Sequence, residues 1–179
     1  MRPVLALRLL AVGGIVALAV VLGWRLTHQP KTIVKAVSKG RIVAAPGFDL
    51  PRLDTKGKLS LASLRGKAVV LNFWQSDCQP CKQEMPRLEA GSKQWAGQAV
   101  VIVGVDMLDT RGAGKAFRKR YGATYPMVFD QLGDTVQPYG VYNTPETFFV
   151  DRRGRIVKRV LGPVSKKVLD ANIERALST

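Results

Sequence analysis

Read from the amino terminus, the first apolar block is also the longest. Residues 3–26 are almost wholly apolar. The uninterrupted part, 9–24, falls a little short of the ~20 residues that a spanning helix needs. Residues 4–7 supply the missing length if Arg8 snorkels to the near interface, with Trp24 at the far one. The pattern predicts a membrane helix, since the segment after it is polar where a buried core helix would be followed by more core. Residues 28–45 are basic and show no period, as a linker does. Pro46 and Gly47 are a turn pair and mark a domain edge.

Beyond that edge the blocks shorten. Phe48, Leu50 and Leu53 are interleaved with polar residues, Lys56, Gly57 and Lys58 turn the chain, and residues 59–61 can pair back as a short hairpin. Residues 68–71 and 99–105 read as buried strands. Lys82 and its successors have helix-forming composition, and residues 111–121 read as a basic helix. Residues 127–129 are a short strand. Residues 147–150, a turn at 151–154 and residues 155–161 read as an antiparallel hairpin. Ser165 caps a last amphipathic helix that carries Val168, Leu169, Ile173, Ala176 and Leu177. A βαβ unit, a helix, a short strand and a ββα unit make an α/β layered domain. The chain thus divides into an N-terminal signal anchor or transmembrane helix at 1–27, a basic linker at 28–45 and a folded domain at 46–179.

Charge adds an asymmetry. The 179 residues hold 28 Lys and Arg against 13 Asp and Glu, a net charge of +15. No acid lies before Asp49, while Arg2, Arg8, Arg25, Lys31, Lys35, Lys39 and Arg41 do. Such a chain suits an anionic lipid surface or an acidic partner. No groove-reading motif or stacking signature points to nucleic acid, and the basic residues read as a solvated surface. Most of the basic residues after the apolar block follow it closely, and a count of positive charges alone keeps the domain in the cytoplasm. The signal-like block opposes that count and is given the greater weight. Ala17, Leu18 and Ala19 resemble a signal-peptidase site, but the apolar run continues to Trp24, as in an uncleaved anchor.

The candidate chemistry sits where the first buried strand hands over to a helix. Cys78, Gln79, Pro80 and Cys81 follow Asn72, Phe73, Trp74 and a polar turn. A cysteine at a helix start faces free N–H groups and the positive end of the helix dipole, which favour the attacking thiolate. Two intervening residues bring both sulfurs together, so a mixed disulfide at Cys78 can be resolved by Cys81. A zinc site would need two further ligands, and His28, the one histidine, lies far upstream. Haem attachment needs a histidine after the second cysteine, where Lys82 stands. A purely structural disulfide would close a very small loop. No metal site is expected.

The blocks PGFDLPRLD, LASLRGK, VVLNFWQSDCQPCKQEMP, VVIVGVDM, YPMVFDQLG and YGVYNTPETFFVDRRGRIV carry a wider likeness. Over residues 46–177 the chain resembles the membrane-anchored thioredoxin-like proteins of the TlpA/ResA/DsbE (CcmG) type. The resemblance implies a central mixed β-sheet flanked by helices, with an N-terminal β-hairpin extension and a transmembrane anchor. It implies that Cys78 and Cys81 are the catalytic, redox-active pair. It also implies that Pro145 is a cis-proline facing them, and that the Thr144 backbone pairs with an extended substrate segment. Taken as a residue alone, Glu84 is a solvated helix glutamate; the resemblance makes it a proton-transfer aid to Cys81. Asn72 takes the place of a buried acid in thioredoxin itself, and Pro86 kinks the active helix. Trp74 is a further supporting candidate. Asp77 departs from the family, which has tryptophan before the first cysteine. Asp77 can cap the helix, but its charge opposes ionisation of Cys78 and favours the disulfide-reducing direction.

The function implied is a thiol–disulfide oxidoreductase without a bound cofactor. Its single-pass anchor would lie in a bacterial cytoplasmic membrane with the domain facing the periplasmic or extracytoplasmic side. There it would reduce a disulfide-bearing protein such as apocytochrome c, with electrons from a transmembrane thiol donor. An oxidase or peroxidatic role, or copper handling with Met85 near the thiols, are the alternatives.

Overall fold

A computed structural model describes residues 33–179 and, ahead of them, Gly13, Gly14, Val16, Leu18, Ala19, Val20, Val21 and Gly23, which are helical. The expected membrane helix, the cleavage-site reading and the 1–27 anchor therefore fall largely outside the described residues. Among the described residues no helix is long and apolar enough to cross a membrane. The chain divides into two units, 1–31 and 32–179, and the second holds the sheet.

The segment expected to be a linker is partly ordered into elements. Ile33–Ser38 forms a helix, α1, and Val43–Ala44 a strand, β1. Ile33, Val37, Val43 and Ala45 pack against one of the two cores. Isolated apolar residues in a basic stretch have no period to read, so tertiary contact decides their structure. The expected hairpin forms from Asp49–Pro51, β2, and Lys58–Ser60, β3. Gly57 takes the left-handed φ of 89° that the turn between them requires.

Ala68–Trp74, β4, is buried at every residue. It runs past the apolar 68–71 core because Asn72 finds partners inside. Then come Gln79–Gln94 (α2), Val100–Met107 (β5), Arg111–Arg120 (α3), Met127–Asp130 (β6), Val136–Tyr139 (α4), Glu146–Val150 (β7), Arg155–Leu161 (β8) and Lys166–Ser178 (α5). The one-turn α4 has no counterpart in the sequence reading; four residues with a proline inside show no helical period. Ser165 caps α5 as expected, accepting from the Val168 N–H at 3.3 Å. Val168 itself faces solvent, whereas Leu169, Ile173 and Ala176 are buried.

The sheet order is β1-β8-β7-β4-β5-β6. β4 runs parallel to β5 and antiparallel to β7, so the sheet is mixed. Alternate residues of β4 feed different cores. Val70 and Trp74 join Met85, Leu88, Phe117, Leu169 and Ile173 beneath α2, α3 and α5. Val69, Leu71 and Phe73 join Leu50, Leu59 and Tyr139 beneath the hairpin and α4. Each such fully buried side chain contributes about 1.5–3 kcal/mol. Gly91 lets α5 lie close on α2: a Cβ there would come within 2.6 Å of Leu169 Cδ2. The consequence for the site is that β4 and α2, joined by the dithiol turn, are both held on two sides.

Candidate active site

The site begins at the C-terminal end of β4. Cys78 is the N-cap of α2, and its Sγ accepts the Cys81 N–H at 3.2 Å. The cap is thus the cysteine itself and not Asp77, which is exposed. Cys78 and Cys81 are joined as a disulfide with their Cα atoms 5.3 Å apart. Cys81 is 1% exposed and belongs to the core, while Cys78 is only partly buried. Pro80 in the first turn costs no hydrogen bond, because that N–H has no partner within a helix. Pro86 lies inside the same uninterrupted helix.

One turn beyond Cys81 stands Glu84, and the structure corrects its reading as a solvated residue. Glu84 is 1% exposed. Its Oε2 accepts from Asn72 Nδ2 at 2.9 Å and its Oε1 from the Val164 N–H at 2.6 Å. Asn72 also donates to Thr147 Oγ1 at 3.0 Å. Burial pushes the Glu84 carboxyl above its ordinary range, against the Val164 and Asn72 hydrogen bonds and the Arg87 charge. Helix periodicity missed this because an acid on α2 looks solvated until its partners on β4 and before α5 are known.

The Thr144–Pro145 peptide is cis. Thr144 Oγ1 donates to Gln75 Oε1 at 3.4 Å, which ties the proline loop to the turn before Cys78. The loop has a second anchor that the sequence did not reveal. Glu146 Oε1 accepts the N–H groups of Tyr142 and Asn143 at 3.2 and 3.4 Å. Its Oε2 takes Arg159 Nη2 at 2.5 Å, and Arg159 donates also to the Gly140 carbonyl at 3.0 Å. The available signal was an acid opening an otherwise apolar strand.

The family model described as AhpC/TSA matches residues 43–159. The chain belongs to the AhpC/TSA family. It is 36% identical over 142 residues to the thiol-disulfide oxidoreductase ResA of Bacillus subtilis (strain 168), covering 77% of this chain and 79% of that protein. It is 32% identical over 174 residues to the ResA of Geobacillus thermodenitrificans (strain NG80-2), covering 97% and 93%. A crystal structure of a putative thiol:disulfide interchange protein, DsbE, from Chlorobium tepidum superposes with a TM-score of 0.71 at 30% identity, covering 75% of this chain and 95% of that one. With the cysteine pair in disulfide geometry and a thioredoxin-like fold, this AhpC/TSA-family chain is a thiol–disulfide oxidoreductase.

Four further residues of this family member lie around the turn. Trp74, the supporting candidate, is fully buried and stacks on Phe117 at 4.8 Å between ring centroids. It therefore packs the floor behind the turn. Beside it across the ladder, Asp106 is fully buried and neither carboxyl oxygen meets a donor. Burial first, then the charge and hydrogen bond of Asp109, push Asp106 up to about 8, with Arg111 opposing. A protonated Asp106 is the donor that this carboxyl pair needs. Asp109 in turn accepts the Ser76 N–H at 2.8 Å and the Thr110 N–H at 2.6 Å, holding the turn before Cys78. Met85, the candidate copper contact, is buried, and its sulfur accepts the Tyr125 hydroxyl at 2.7 Å.

Proposed function

We propose that this oxidoreductase reduces protein disulfides on the extracytoplasmic side of a bacterial cytoplasmic membrane, as in apocytochrome c maturation. The observation that carries the reading is the unequal burial of the pair: Cys78 open at the helix start, Cys81 shut in the core above Glu84. In the reduced form the Cys78 thiolate attacks one sulfur of the partner's disulfide. A Cys78–partner bond forms, the partner's sulfur–sulfur bond breaks, and its second sulfur leaves as a thiolate that takes a proton. Cys81 then loses its proton towards Glu84 and attacks Cys78. This re-forms the Cys78–Cys81 disulfide and frees the partner's other thiol. Two electrons have passed to the partner, and a transmembrane thiol donor restores them, since the exterior is oxidising.

Thr144 and Pro145 would line the partner's extended segment, with the Thr144 backbone pairing to it. Asp77 would weaken the Cys78 thiolate and so favour reduction. Residues 1–27 would anchor the chain in the lipid, joined by 28–45 to the redox domain. The apolar 9–24 run supports this, as does the alignment with ResA of Geobacillus thermodenitrificans over nearly the whole chain.

The test is trapping. With Cys81→Ser the mixed disulfide has no resolving thiol and accumulates on Cys78. With Cys78→Ser little adduct forms, because the remaining sulfur is buried. Equal adduct from both variants in non-reducing electrophoresis, or adduct from neither, would defeat this division of labour.

A further inference from the structure

We infer that the groove between α2 and α3 docks an acidic polypeptide segment flanking the target disulfide, an inference that rests on the oxidoreductase reading above. The groove has a volume of about 490 Å³, and Ser76, Gln79, Lys82, Phe117, Arg120 and Tyr121 line it. Ser76 and Gln79 stand on either side of Cys78 in sequence, so the groove runs up to the reacting turn. It is separate from the Thr144–Pro145 loop, none of whose residues line it.

Its floor is aromatic. Phe117 lies 4.7 Å from Tyr121 and 4.8 Å from Trp74 between ring centroids. Two cations, Lys82 and Arg120, stand among its lining residues. The helix α3 carries Arg111, Lys115, Arg118, Lys119 and Arg120 and no acid. Two of these are committed to the fold. Arg111 donates to the Arg52 and Leu53 carbonyls, and Arg118 pairs with Asp54 at 2.7 Å. Lys115, Lys119 and Arg120 are exposed and make no ion pair among the described residues. Lys82, across the groove, reaches only Gln79 Oε1, at 3.0 Å. The opposing charges near the turn are Asp77 and Asp109, and Asp109 already accepts two backbone N–H groups. Lys82 and Arg120, the two cations that line the groove, carry no ion pair among the described residues, and a segment that brings carboxylates to them and an apolar side chain to the aromatic floor answers both features. Fixed charges of this kind set partner choice and encounter rate more than final affinity.

The test uses the reduced full chain and two peptides that carry the same disulfide, one flanked by Asp and Glu, the other by Ser. At low salt kcat/KM for the acidic peptide should exceed that for the neutral one ~10-fold or more. The ratio should fall towards unity at ~1 M salt, where the Debye length shrinks to ~3 Å. In a Lys82→Glu, Arg120→Glu double variant the ratio should drop below unity. Equal rates at low salt, or a ratio that survives both changes, overturn the docking groove alone. Reduction of neither peptide overturns the oxidoreductase reading and the groove with it. Loss of binding to anionic phospholipid vesicles in the double variant, with the peptide ratio unaltered, overturns it in favour of a lipid surface.

Discussion

At the scale of single residues, two buried carboxyls around the dithiol have separable roles. Asp106 ionises near pH 8 in the fold, far above the ~3.9 of an unfolded aspartate. Between those values the unfolded chain has released the proton and the native chain still holds it. The contribution of Asp106 is therefore full below about pH 4 and falls as pH rises to about 8, by up to ~1.4 kcal/mol per pH unit, then levels off. An asparagine side chain would mimic the protonated acid, so Asp106→Asn should remove most of that decline. Urea midpoints at several pH values check it, and parallel curves for the two proteins would contradict it. Glu84 is different because both its oxygens accept from fixed donors. In Glu84→Gln the new NH2 meets one of those donors, which should cost ~1–3 kcal/mol. Resolution by Cys81 should slow ~100-fold or more, with the first attack by Cys78 little changed. Stopped-flow decay of the mixed disulfide reads this directly; an unchanged decay would leave Glu84 with a structural part alone.

At the scale of elements, the sequence told most about what is local. The hairpin at Gly57, the buried run of β4, the basic helix at 111–120 and the Ser165 cap follow from turn chemistry, burial pattern and capping, each set within a few residues. What could not be read depends on partners far along the chain. Glu84 is buried because Val164 and Asn72 meet it there, and α1 and β1 exist because β8 and the core receive them. Glu146 and Arg159, 13 residues apart in sequence, meet only because β7 and β8 pair antiparallel. In the same way the dithiol itself was legible as CxxC, whereas the brackets that hold its turn, Asp109 to Ser76 and Thr144 to Gln75, were not.

At the scale of the whole molecule, the proposed extracytoplasmic placement of the domain makes a prediction about export. The apolar 9–24 run and the size of the folded unit argue for export, against the basic residues that follow the run. A phosphatase reporter fused after Thr179, active only when exported, should be active, and the chain should sediment with membranes. Activity solely from a cytoplasm-dependent reporter would reverse the assignment. The pairing of β1 with β8 bears on how such a chain is made. Val43 lies opposite Ile156, so the first strand has no place to dock until the eighth has been synthesised. A chain emerging amino end first, from ribosome or translocation pore, must keep its leading segment extended while nearly all the rest is delivered. The β1 strand cannot pair before Arg155 and Ile156 are delivered, and a nascent chain stalled short of Arg155 would leave residues 43–44 open to protease.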